Sequence, residues 1–163
     1  TSPRKSVLRI YRDIRFSKDK TPYKNNFGIS INGGSKATDG VGYYMHIQPG
    51  SCFFAGGYWH PQPEHLKAIR QEIDYNATEF LAIIEDSAFQ HFFGDLDRTD
   101  SLKTSPKDYD STHPHIDLLK LKSFNVAAPF TDKEMMNANV FSRLSTGMKS
   151  LFPLCKFLRN AVE

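Results

Sequence analysis

With 163 residues, 39% of them hydrophobic and 24% charged, the chain is the size of one domain and can bury a core, which argues against a disordered linker. Its net charge of +3 is too small to argue for nucleic-acid binding by itself, and no apolar run is long enough to cross a bilayer. Cys52 and Cys155 lie far apart and outside any CxxC or Cys/His spacing, so a disulfide scaffold is unsupported and a reducing, cytoplasmic compartment is expected.

The opening Thr1-Ser2-Pro3-Arg4-Lys5 has neither a start methionine nor an apolar signal stretch. Residues 6–16 alternate, with Leu8, Ile10, Ile14 and Phe16 on one face and Arg9, Tyr11, Asp13 and Arg15 on the other, which predicts a first strand. After a turn around Pro22, the alternation of Phe27, Ile29 and Ile31 with Gly28, Ser30 and Asn32 predicts a second. A loop from Asn32-Gly33-Gly34 to Gly40 leads to a third strand, whose apolar face is Val41, Tyr43, Met45 and Ile47, with Tyr44, His46 and Gln48 opposite. Pro49-Gly50 turns into a fourth over about 51–58, where Gly56-Gly57 suggests a bulge.

Helical signals then take over. Pro61 and Pro63 suit a helix start for Leu66, Ile69 and Ile73, and Asn76 with Glu79 marks a second start. Residues 94–114 read as loop, and 122–128 as a further strand on the sheet. Thr131 with Glu134 forms a capping box for a helix through Met136, Val140, Leu144, Met148 and Leu151, which Pro153 is expected to interrupt. The expected fold is a single α+β domain over 1–163, an antiparallel sheet of four to five strands with helices packed from the C-terminal half.

One stretch is unusual. Residues 1–24 hold eight Lys/Arg and two Asp, a local net charge of +6. Guanidinium groups bind carboxylates and phosphates through paired donors, and lysine adds a point charge, so an anion site here is physically plausible. On a straight strand Arg9 and Arg15 stand about 20 Å apart, too far to clasp one phosphate, whereas Asp13 and Arg15, about 7 Å apart on one face, could simply pair. Arg12 shares a face with Ile10 and Ile14, so a partly buried guanidinium there needs a carboxylate, carbonyls or an anion.

The run Arg9, Arg12, Asp13, Arg15, Phe16, Asp19, Lys20 and Tyr23 resembles the signature of a bacterial and fungal family, domain of unknown function 2461. The likeness continues through Gly42-Tyr43-Tyr44, Gln48-Pro49-Gly50, Gly56-Gly57, Ser105-Pro106-Lys107, His113-Pro114 and Leu151-Phe152-Pro153-Leu154. It implies a shared fold and a cytoplasmic setting, and no activity. It also implies a helical segment ahead of the signature, which this chain is expected to lack, and a glycine where Asp108 stands.

Three readings of the basic stretch follow. In the first, Arg12 and Arg15 grip a small phosphate- or carboxylate-bearing ligand at a site that also includes Arg9, Lys20 and Lys24 add charge, Tyr23 donates a hydrogen bond, and Asp13 orients an arginine or acts as a base. In the second, Tyr11, Phe16 and Tyr23 stack on bases while the cations follow phosphates, or the stretch binds an acidic partner. In the third the cluster is scaffolding. His113-Pro114-His115 with Asp110 and Asp117 specifies no third metal ligand and reads as helix entry, and His46, His60 and His65 read as structural. Walker, GxGxxG, GxSxG and HExxH motifs are absent, so neither cofactor nor metal is expected and enzyme activity is left open.

Overall fold

The computed structural model describes residues 3–16, 18–32 and 40–163. Four strands, β1 (Phe27–Asn32), β2 (Gly42–Ile47), β3 (Cys52–Tyr58) and β4 (Phe124–Phe130), form one antiparallel sheet in the order β1-β2-β3-β4. The short α1 (Pro3–Ser6) precedes it. Between β3 and β4 run α2 (Pro63–Tyr75), α3 (Ala77–Ile84), α4 (Ser87–Phe93) and α5 (Ile116–Leu119), and α6 (Asp132–Met135) and α7 (Val140–Val162) follow. This is the expected α+β architecture.

Strand alternation sorts the sheet into two faces. On β4, Phe124, Val126, Ala128 and Phe130 point to the helical layer and are at most 3% exposed. Met45, Phe54 and Tyr58 join them from β2 and β3, against Leu151, Leu154, Cys155 and Leu158 of α7 and Ile69, Ile73 and Phe80 of α2 and α3. Burial of each such Leu, Ile or Phe contributes about 1.5–3 kcal/mol, and this layer supplies most of the folding drive. Gly56 lets α7 sit close: a Cβ there would stand 2.5 Å from the Leu151 side chain.

Several local expectations change. Residues 6–16 do not form a strand; after α1 they make isolated bridges, Val7 to Ile29 and Tyr11 to Tyr23. Leu8 N–H still reaches the Gly28 carbonyl at 2.8 Å, so the stretch lies along the outer edge of β1. Continuous pairing fails because Pro22, opposite Arg12, has no N–H to return. Ile10 and Ile14 are each 40% exposed and Phe16 is 96% exposed, so the predicted apolar face is not covered. Gly56-Gly57 makes no bulge, since the β2–β3 and β3–β4 registers run through it unbroken.

Among the helices, α3 starts after Asn76 as expected, but the Asn76 side chain does not cap it: its amide donates to Glu72 of α2 at 2.8 Å. The Thr131–Glu134 capping box forms, but Met136 to Asn139 separate α6 from α7 because the Asn137 side chain accepts the Asn139 N–H at 2.9 Å. Pro153 does not interrupt α7. Its ring lies on the exposed side, where water can serve the carbonyl it leaves unpaired, while Leu151, Leu154 and Cys155 stay buried.

Both rims of the sheet are obstructed. Val7 and Leu8 lie on the β1 side, while on the β4 side the Asn125 carbonyl accepts Asp97 N–H at 2.9 Å and Pro129 has no donor. No helix among the described residues is long and apolar enough to cross a membrane.

Candidate ligand-binding site

The helical layer covers one face of the sheet. The strand register turns Gly28 and Ser30 of β1, Gly42, Tyr44 and His46 of β2, Phe53, Ala55 and Gly57 of β3, and Asn125 and Ala127 of β4 toward the other. A cavity of about 580 Å³ opens over this second face, with Leu8, Tyr44, Phe53, Trp59, Asp97 and Asn125 in its wall. Its volume lies in the range of small-molecule sites, roughly 300–1,000 Å³.

Small residues make the floor and aromatics make the walls. Gly42, Ala55, Gly57 and Ala127 leave a shallow trough across the sheet. Tyr44 and Phe53 meet at a centroid distance of 5.8 Å, and Phe53 stacks on His46 at 4.8 Å. Tyr44 is fixed by its hydroxyl, 3.0 Å from His46 Nδ1, while His46 Nε2 is 3.2 Å from Gln48 Oε1.

Trp59 stands where the chain leaves β3 and is 68% exposed. Gly57, at φ +112°, and His60, at φ +46°, turn the backbone around it, and Ser123 Oγ accepts the His60 N–H at 2.9 Å. At the β4 end, Asp97 Oδ1 accepts from Thr99 N at 2.9 Å and Thr99 Oγ1 at 2.6 Å. The Thr99 hydroxyl, then the Thr99 N–H and more weakly the Asn125 amide, hold the Asp97 carboxyl below the usual carboxylate range. A carboxylate cannot donate, so the Asn125 amide nitrogen faces it; Asn125 Oδ1 is out of water with no hydrogen-bond partner. Among the described wall residues Asp97 is the one ionised side chain.

The residues expected to bind an anion occupy the 9–24 hairpin, and the structure joins them in pairs. Arg12 contacts Asp19 and also donates to Thr21 Oγ1 at 2.8 Å. Arg15 forks onto Asp13 with bonds of 3.0 and 2.6 Å, and Lys20 donates to the Ile14 carbonyl at 2.8 Å. Arg15 keeps the Asp13 carboxyl low; for Asp19 the Thr21 N–H and hydroxyl do most of this, with Arg12 a lesser cause. Tyr23 packs on Tyr11 at 5.4 Å, the Lys24 backbone N–H reaches the Ile10 carbonyl at 2.9 Å, and Arg9 is exposed. None of Arg9, Arg12, Asp13, Arg15, Lys20, Tyr23 or Lys24 lines the cavity; Leu8 is what this segment contributes to it.

His113 and His65 are engaged. His113 Nε2 is 2.8 Å from Asp74 and its Nδ1 accepts the His115 N–H at 3.1 Å, an arrangement that fixes the entry to α5. His65 Nδ1 is 2.7 Å from the buried Tyr58 hydroxyl. On the helical side of the sheet, burial pushes the Cys155 thiol up to about 11 and the neighbouring Tyr43 phenol up to about 12.

Trp59, Asp97 and Asn125 do not stand out in the sequence. The available signal was the alternation itself, which placed Tyr44 and His46 away from the core without saying whether a helix would cover them.

Fold and site together define an α+β protein whose described helices cover one face of the sheet and whose other face carries a cavity. Residues 1–157 match the family model described as Conserved hypothetical protein (DUF2461), and the chain belongs to that family. No curated protein and no solved structure matches it.

Proposed function

We propose that this protein binds a small molecule in the cavity on the open face of its sheet, in a cytoplasmic setting. One observation carries the reading: Tyr44, Phe53 and Trp59 surround a hollow of about 580 Å³ on a sheet face that the helical layer leaves uncovered. An apolar concavity with a few placed polar groups is the usual form of a ligand site. Trp59 is the single tryptophan of the chain, so its fluorescence reports on the cavity mouth alone. Titration with benzyl alcohol is expected to change Trp59 emission saturably. Ala55→Phe, which fills the trough from the centre of β3, is expected to weaken that response at least tenfold while the melting temperature is retained. A linear response, or one unchanged by Ala55→Phe, would refute the reading.

A second reading keeps the ligand anionic and places it on the basic hairpin. Its support is the charge count, eight cations against two carboxylates in residues 1–24, which leaves an excess of six whatever the internal pairing. Arg12 and Arg15 already hold Asp19 and Asp13, so Arg9 and Lys24 would make the first contact with phosphate, a carboxylate or a nucleic-acid backbone. Retention of single-stranded RNA on filters at low salt is expected to fall steeply as salt rises, and to drop at least fivefold in Arg9→Gln/Lys24→Gln. Absence of retention at low salt rules out the nucleic-acid form.

A further inference from the structure

The charge and donor balance of the cavity wall identifies the ligand class, on the reading that the cavity is a binding site. Among the described wall residues no lysine or arginine is present, and the ionised group is Asp97. Its Oδ1 accepts twice from Thr99 and the Asn125 amide faces the same carboxylate, whose side chain is nonetheless exposed. Asn125 beside it turns its amide nitrogen to Asp97, and its buried Oδ1 is out of reach of a ligand. This end of the cavity therefore offers an exposed carboxylate and its negative charge, next to the exposed indole of Trp59 and the Tyr44–Phe53 pair.

A carboxylate-bearing or phosphate-bearing ligand would meet repulsion here. A nitrogen that is cationic and carries N–H groups meets a carboxylate and aromatic faces, two features that recognise ammonium and amidinium groups. We infer that the open-face cavity selects a small aromatic or alkyl compound with a protonated nitrogen, held at the β4 end by Asp97 with Trp59 alongside.

Three probes of one shape separate this from the general cavity reading: benzylamine, benzyl alcohol and benzoate, each titrated at neutral pH against Trp59 emission. Benzylamine is expected to bind at least fivefold more tightly than benzyl alcohol, and benzoate most weakly. Asp97→Asn keeps an oxygen for Thr99, and it is expected to bring benzylamine affinity to within twofold of benzyl alcohol affinity in the same variant, with the melting temperature retained. In the unmodified protein, added sodium chloride is expected to erode the benzylamine preference and leave benzyl alcohol unaffected. Benzoate binding as tightly as benzylamine, or a preference that survives both Asp97→Asn and salt, overturns the inference with the cavity intact. If no probe gives a saturable response, the cavity reading itself fails.

Discussion

Replacing Gly57 with alanine is expected to destabilise the protein by about 4 kcal/mol, out of a total of roughly 5–15 kcal/mol for a domain. Two effects add. The backbone at Gly57 has φ +112°, beyond the left-handed region that other residues tolerate, and strain of this kind costs about 1–3 kcal/mol. The new Cβ would also strike the Phe124 carbonyl oxygen and come within 2.9 Å of Asn125 Cα. Both are main-chain atoms of β4, so relief requires the β3–β4 ladder to open. Gly50→Ala separates the two effects, because Gly50 has φ +74° with nothing within 4 Å of an added Cβ. It should cost about 1 kcal/mol. Thermal unfolding reads the difference: a loss of roughly 10 °C for Gly57→Ala against a few degrees for Gly50→Ala. A Gly57→Ala protein that melts with Gly50→Ala would mean that β3 does not lie this close to β4.

Stability is expected to decline by about 3 kcal/mol between pH 9 and 11 through Cys155 alone. Burial is the main cause of the raised thiol, which moves from 9.0 to about 11; Arg159 acts in the opposite direction. In the unfolded chain the thiol loses its proton near pH 9, whereas the folded protein retains it until about 11. Over that window the unfolded state binds fewer protons, so rising pH favours unfolding. The contribution is fully present below pH 9 and gone above 11. Urea midpoints measured across this window, with Cys155→Ala as reference, isolate it: the variant should decline less steeply. Parallel pH profiles would show that the thiolate is tolerated in place, contrary to the packing of Cys155 among Leu151, Leu154 and Leu158.

The sheet was legible in the sequence because its alternation is regular: Tyr43, Met45 and Ile47 inward, Tyr44 and His46 outward, as found. The strand expected at 6–16 has similar alternation, yet period alone does not create a partner. Pro22 breaks the return strand, and the charges of Asp13, Arg15 and Asp19 are met within the hairpin instead of across a ladder. In α7 the opposite happened, where buried neighbours on both sides outweighed the local cost of Pro153. The expected pairing of Asp13 with Arg15 was readable because it is local. The cavity was not, because it needs Leu8, Tyr44, Trp59, Asp97 and Asn125 to meet from five separate stretches. No spacing rule joins them.

The blunted rims of the sheet have a consequence for how this protein behaves in a crowded solution. A bare outer strand is a template on which another chain can add, and repeated addition gives fibrils. Here one side is overlaid by the segment around Val7 and Leu8, and the other carries a proline and a main-chain oxygen already claimed by Asp97. Among the described residues neither border offers the unbroken row of donors and acceptors that such growth requires, so a sheet face outside the helical layer need not invite neighbouring chains to extend it.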